Sequence, residues 1–295
     1  ERFGFLGGTL TGAGVGPMMT FHAGNRRVIG GIPQEIVEKL MEMGASPGHI
    51  LDTTGFVSTV TPFDSEAFKY ILQEMAIECG VNLIFYSVLA DVNVDEGNIK
   101  SISILNRGGL SKITANVYID ATGDADLAVK SGVPYQKGRK GDNLSQPMTM
   151  MVKVGNVDID EIKASVLKNP ENFNMLESEQ EIMEAKRLSV NGFLAELNSA
   201  RLKGDITFER DTVLFFETNT PGEVIVNMTR VLNADATNPE ALTTAEIEGR
   251  RQAKQLFNFL KKYIPGFQNA VYISTGPCIG IRESRKIKGE HIIEA

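Results

Sequence analysis

The sequence has no tryptophan, only two cysteines and only three histidines in 295 residues. Cys79 and Cys278 cannot build a disulfide framework or a four-thiolate zinc site, and His22, His49 and His291 lack ligand spacing. No metal is therefore expected, and a reducing, cytoplasmic compartment is. No apolar run approaches the roughly 20 residues of a membrane span, and no charged-then-apolar leader is read at the start, so no membrane partner is expected. Basic excess is missing as well. With 30 Lys and Arg against 37 Asp and Glu, a net charge of −7, the chain does not read as a nucleic-acid binder. No G-x-S-x-G elbow or Ser-His-Asp order appears. What remains, at 42% hydrophobic and 23% charged residues, is the composition of a folded globular chain long enough for one large or two smaller domains.

Glycine is abundant but unevenly placed. Nine of 29 lie in the first 31 residues: Gly4, Gly7, Gly8, Gly12, Gly14, Gly16, Gly24, Gly30 and Gly31. They do not spell G-x-G-x-x-G. Gly12-Ala13-Gly14 would need glycine where Pro17 stands, and Gly14-Val15-Gly16 would need it where Met19 stands. On spacing alone two readings stay open: a turn-rich loop, or a backbone at Gly7-Gly8 that passes close to a large flat ligand because no Cβ intervenes.

Apolar spacing predicts helices over residues 33–41, with Pro33 in the first turn, and 64–79, with Gly80 as the stop. A buried strand is expected over 81–86, then strands over 88–94, 99–105 and 113–119 joined by Asp95-Glu96-Gly97-Asn98 and Arg107-Gly108-Gly109. The turn Ala121-Thr122-Gly123-Asp124 leads into a short helix ending near Gly132. Further on, a strand is expected over 148–154, helices over 158–168 and 177–201, strands over 212–217 and 223–228, a long helix over 239–263 and a strand over 270–275. The methionines at 148, 150 and 151 and the stripe Leu256, Phe259, Leu260, Tyr263 read as core.

Three segments carry a resemblance: Glu1-Arg2-Phe3-Gly4-Phe5-Leu6-Gly7-Gly8, Ile119-Asp120-Ala121-Thr122-Gly123-Asp124, and Gly280-Ile281-Arg282-Glu283-Ser284-Arg285-Lys286-Ile287-Lys288-Gly289. In this order and at these separations they resemble the FAD-dependent oxidoreductase family of the glutathione-reductase-type flavoprotein superfamily. The resemblance implies an α/β and α+β fold: a partial Rossmann-like FAD-binding domain with a β-meander over 1–140, a mixed-sheet substrate domain over 141–278, and a return segment over 279–295. The boundary falls in the exposed-looking stretch 138–143. The resemblance further implies an internal fragment, because members begin with strand, G-x-G-x-x-G, helix and a second strand whose terminal acidic residue matches Glu1. It also implies a C-terminal flavin-closing segment beyond Ala295.

Site residues follow from the same comparison. Glu1, Arg2 and Val88, with Leu89, are expected at the adenosine end of FAD. Thr122, Gly123 and Asp124 are expected beside its pyrophosphate, where a glycine turn at a helix N-terminus offers free N–H groups, and Gly7 and Gly8 are expected in a cofactor-facing loop whose backbone passes close to the flat ligand. Without the resemblance, Ala121-Thr122-Gly123-Asp124 reads as a plain strand-to-helix turn capped by Asp124; with it, the cofactor reading is favoured. Arg282, Glu283 and Arg285, around Ser284, are expected near the flavin ring, where an arginine can take a substrate carboxylate or steady an anionic reduced flavin; a solvated charged face is the alternative. His22 is a candidate acid or base, and Cys278 a structural cysteine without a CxxC partner. The expected activity is flavin-mediated hydride transfer with a small-molecule substrate, and a non-catalytic remnant that binds no flavin is the competing reading.

Overall fold

The computed structural model describes residues 1–291. The chain opens with one turn of helix, α1 (Thr9–Gly12), and the short strands β1 (Met18–Met19), β2 (His22–Ala23) and β3 (Arg26–Arg27). After α2 (Ile32–Glu42) come β4 (Ile50–Leu51) and β5 (Thr59–Thr61). β5 lies between β1 and β4, and β2 pairs with β3 as a separate hairpin, all antiparallel. α2 carries Pro33 in its first turn and stops before Gly44 at φ +69, the backbone states those residues favour at the two ends. α3 (Ser65–Glu78) is capped by Asp64, whose carboxylate accepts the N–H groups of Glu66 and Ala67. The two helices meet over Leu40, Ala45, Phe63, Phe68 and Ile71, so both form as their apolar spacing predicts.

β6 (Val88–Asp95), β7 (Asn98–Asn106) and β8 (Gly109–Ile113) make an antiparallel meander in that order. Glu96 at φ +49 and Gly97 at φ +77 form a two-residue turn with both positions left-handed, which suits the twist of the flanking strands. Two expected strands do not form. Residues 81–86 lie outside any strand, and their bonds go to the start of the chain instead. The N-terminal amine donates to the Ile84 carbonyl at 2.9 Å, Tyr86 N–H to the Phe3 carbonyl at 3.2 Å and Ser87 N–H to the Glu1 carbonyl at 3.0 Å. The strand expected over 113–119 ends where it should begin, at Ile113. Ala115 N–H donates to the Tyr118 hydroxyl at 2.9 Å, and Val117 and Ile119 stand 74% and 84% exposed. An apolar run becomes a buried strand only where neighbours supply its ladder bonds and cover its faces; residues 1–3 bond only the end of the first run, and Val81, Ile84, Val117 and Ile119 stay exposed.

α4 (Asp126–Lys130) and β9 (Tyr135–Lys137) lead into the second part. There β10 (Val152–Gly155), β11 (Ser189–Gly192), β12 (Val213–Glu217), β13 (Val224–Val226) and β14 (Val271–Thr275) form one antiparallel sheet, ordered β11-β12-β13-β10-β14. α5 (Ile159–Lys168), α6 (Glu179–Glu184), α7 (Leu194–Leu202) and α8 (Pro239–Tyr263) surround it. The single helix expected over 177–201 is therefore split into α6, β11 and α7. Ser189, Val190, Asn191 and Gly192 are all buried and pair with β12, and a Cβ on Gly192 would lie 2.1 Å from the Phe173 ring. Sheet pairing has overridden the local helical pattern here. The main core, from Met148, Met150, Val152 and Phe215 to Leu256 and Phe259, belongs to this part. β15 (Arg285–Ile287) returns to pair with β9. The last four residues of the return segment expected over 279–295 lie outside the described residues.

The architecture is thus mixed α/β and α+β. Several polar links tie the two parts. The Thr53 hydroxyl donates to the Ser189 carbonyl at 2.5 Å and accepts its N–H at 2.9 Å, and Lys137 Nζ reaches Asp235 at 2.5 Å. Among the described residues no helix is long and apolar enough to cross a membrane.

Candidate functional site

The turn 120–125 is held by its own side chains. Asp120 Oδ1 accepts the N–H of Thr122 at 3.0 Å and its hydroxyl at 2.7 Å, Asp120 Oδ2 accepts Ala128 N–H at 2.9 Å, and Thr122 Oγ1 accepts Asp126 N–H at 2.9 Å. Partial burial pushes the Asp120 carboxyl up, but these donors prevail and hold it below the usual carboxylate range. Asp124 does not cap α4; Ala125, at φ +57, occupies that position. The Asp124 carboxylate is turned to the C-terminal segment, where it accepts the Ser284 hydroxyl at 2.6 Å, while its carbonyl accepts Arg285 at 2.9 Å. Gly123 has φ +78, and a Cβ there would meet nothing within 4 Å. Among the described residues the N–H groups of Gly123, Asp124 and Ala125 find no acceptor.

The N-terminal candidates adjoin the meander. Glu1 accepts Phe3 N–H through Oε1 at 2.9 Å, and its carbonyl holds Ser87, the residue before β6. Val88 opens β6 opposite Leu105 with its side chain exposed, and α4 packs against β6. Glu1 and Val88 therefore share the end of the meander at which β6 begins, and the helix that follows the turn packs on the same strand. Arg2 lies 4.9 Å over the Phe3 ring. Gly7 and Gly8 both take positive φ, +115 and +55, yet differ in access: a Cβ on Gly7 would meet the Thr11 side chain at 2.6 Å, whereas one on Gly8 would meet nothing within 4 Å. Further along the loop, Gly12 accepts Cys278 N–H at 2.9 Å.

The charged segment near the C-terminus divides by partner. Arg285 binds Asp126 at 2.7 Å, and Glu283 accepts Gln146 N–H at 2.9 Å and pairs with Lys286, which together hold its carboxyl low. Arg282 is different: it is exposed and makes no ion pair among the described residues. It lies instead within electrostatic reach of Arg210, together with Arg230. Neither of those two is singled out by the sequence, where each is an isolated arginine with no motif around it.

His22 Nδ1 bonds Thr59 Oγ1 at 3.0 Å, and His49 bonds Thr61 Oγ1 at 2.7 Å and Gln34 Oε1 at 2.9 Å. The rings meet edge to face at 5.1 Å, and burial, His22 and Arg27 push His49 below its ordinary value. Burial, with Glu246 adding to it, raises the Cys278 thiol, so it is not an activated nucleophile. No cluster of three His, Cys, Asp or Glu suited to a metal occurs among the described residues.

A glycine turn with unpartnered N–H groups, met by a returning C-terminal segment, is an arrangement able to hold an anionic group of a cofactor. The family model described as FAD dependent oxidoreductase matches residues 1–295, and the chain belongs to that family, whose cofactor is FAD. No curated protein matches the chain. Similar solved structures include a p-nitrophenol 4-monooxygenase from Pseudomonas putida, at 12% identity and TM-score 0.42 over 78% of this chain and 44% of that one. The flavin-dependent brominase Bmp2 gives 13% and 0.45 over 92% and 61%, and a glycerol-3-phosphate dehydrogenase from Bacillus halodurans complexed with FAD gives 14% and 0.40 over 80% and 38%. The chain thus spans between 38% and 61% of the length of these structures.

A dinucleotide asks for backbone donors at its pyrophosphate and a carboxylate at a ribose. Among the described residues, Gly123, Asp124 and Ala125 present unpartnered N–H donors, with open space at Gly123, a Cβ at Gly8 would meet nothing within 4 Å, and Glu1 keeps Oε2 free of partners. The donor set fits.

Proposed function

We propose that this chain forms the cofactor- and substrate-facing part of an FAD-dependent oxidoreductase that transfers a hydride between flavin and a small-molecule substrate. The observation that carries the reading is the open turn at Gly123, joined to the C-terminal segment through Asp124, Ser284 and Arg285. In it Glu1, Arg2 and Val88 meet the adenosine end, the backbone at Thr122, Gly123 and Asp124 lies along the pyrophosphate, and Gly7 and Gly8 let the opening loop pass close to the cofactor. When bound, FAD supplies the hydride chemistry; the protein orients substrate and excludes water.

Within the C-terminal segment the roles separate. Arg285 positions the turn, since its guanidinium is spent on Asp126 and the Asp124 carbonyl. Glu283 anchors residue 146, and Arg282 keeps its donors for substrate. A division into 1–140, 141–278 and 279–295 accords with a small core confined to residues 40–71 and a large one confined to 148–279. The fold asks for no disulfide, which suits a reducing, cytoplasmic setting.

Titrating FAD into the purified chain tests this. Quenching of flavin fluorescence is expected, weakened at least tenfold by Glu1→Gln combined with Gly123→Val. Absence of any quenching would overturn the flavin reading for this chain and favour an interaction module.

A further inference from the structure

Three guanidinium groups, those of Arg210, Arg230 and Arg282, lie close enough to act on one another, and none of them forms an ion pair among the described residues. Arg210 lies in the loop between α7 and β12, half-buried, with Nη2 donating to the Asn227 carbonyl at 2.8 Å. Its Nε is buried and has no hydrogen-bond partner among the described residues. A buried donor left unmade costs far more than an exposed one, so an orphaned guanidinium N–H marks a place where an acceptor belongs.

The strand layout brings the other two. Val231 pairs with Met148, and Gly280 pairs with the next residue, Thr149, so residues 230 and 282 flank the same extended segment. The backbone there is fixed by Met148 N–H to Val231 O at 3.0 Å and Gly280 N–H to Thr149 O at 2.8 Å. Gln252 clamps Arg230 from α8, accepting its N–H at 2.7 Å and donating to its carbonyl at 3.2 Å. Burial lowers the Arg210 pKa first, Arg230 and Arg282 lower it further, and Asp211 alone opposes them. None of the three makes an ion pair within 4.0 Å among the described residues, and of the three Arg210 alone also carries a buried donor without an acceptor.

We propose that Arg210, Arg230 and Arg282 form a binding site for an oxyanion, carboxylate or phosphate, carried by the small-molecule substrate. Guanidinium forks match such planar or tetrahedral oxygens with paired, charge-assisted bonds, and an anion also relieves the repulsion among the three. Calling the ligand a substrate rests on the flavin reading: Arg282 stands two residues from Ser284, which binds the Asp124 turn. The anion site itself does not rest on it.

The test uses the 295-residue chain without FAD, in low-chloride buffer, titrated calorimetrically with succinate and separately with inorganic phosphate. At least one is expected to bind at millimolar concentration or below and to raise Tm; preference for succinate assigns a carboxylate, preference for phosphate a phosphate ester. Arg282→Gln, at an exposed position that folding does not need, is expected to weaken binding at least tenfold, and Arg230→Met likewise. Arg250→Gln, which removes an arginine already paired with Glu246, should leave it unchanged. Binding of neither anion above a chloride control, or equal binding by wild type, Arg282→Gln and Arg230→Met, overturns the proposal. FAD quenching, read separately, decides the flavin reading whichever way the anion titration falls.

Discussion

Gly276 joins the two ends of the chain by lacking a side chain. A Cβ there would lie 2.2 Å from the Ala13 carbonyl oxygen and 2.5 Å from its carbon, both backbone atoms that cannot swing aside. Gly14 meets the same point from the other side, where a Cβ would come within 3.1 Å of the Gly276 Cα. The glycines of the opening loop therefore serve two ends: Gly8 leaves backbone open, while Gly14 lets backbone meet backbone. Gly276→Ala is expected to cost about 1–3 kcal/mol, as overpacking does, visible as a lower thermal midpoint. Gly30→Ala, where a Cβ would meet nothing within 4 Å and φ is not positive, should change stability by less than about 0.5 kcal/mol. Equal behaviour of the two variants would show that the Ala13 contact is not closed in solution.

Among the elements, the link from β9 to the loop before α8 is the one whose strength should vary with pH. Lys137 Nζ binds Asp235 at 2.5 Å and Thr237 Oγ1 at 2.9 Å. Burial alone would raise the Asp235 carboxyl, but Lys137 and Thr237 bring it down to about 2. A carboxyl whose folded pKa lies below its unfolded value of about 3.9 stabilises the fold fully above that value and loses the contribution as pH falls towards 2. The pair is partly exposed, so Lys137→Met should cost no more than about 1 kcal/mol at pH 7. In urea melts the gap to wild type should shrink between pH 4 and pH 2; a gap that stays constant would mean that Lys137 acts through packing alone. The link itself could not be read from the sequence, because it spans 98 residues. What could be read was local: α2, α3, α8 and the first two strands of the meander follow from spacing, caps and turn glycines. The misreadings at 81–86, 113–119 and 177–201 share one cause, since strand formation depends on partners remote in sequence. For the site, Asp124 and Arg282 stood in recognisable segments, but Arg210 and Arg230 become notable only once strands bring them beside Arg282.

On the scale of the whole molecule the two parts are unequally built. The second part owns a continuous core with many side chains fully excluded from water, while the first owns one cluster of five buried apolar residues around α2 and α3, with Phe21, Val37, Val60, Val92 and Leu127 among those buried outside it. Residues that read as core strands in sequence, Ile84, Val88, Val117 and Ile119, stand in contact with water. Apolar burial stabilises by roughly 25 cal/mol per Å², so the first part should be the less stable, and its opening need not wait for global unfolding. Amide hydrogen exchange should then show lower protection in α2, α3 and the meander than in β10, β12 and β13; uniform protection would mean one cooperative unit instead. The exposed apolar side chains should also bind the dye ANS in the native state. The triple change Ile84→Ser, Val117→Ser and Ile119→Ser should reduce that fluorescence several-fold while moving stability by less than about 1 kcal/mol, because none of the three loses a buried contact. A large loss of stability in the triple variant would place these side chains in a core, and would make the strands expected over 81–86 and 113–119 the correct description in solution.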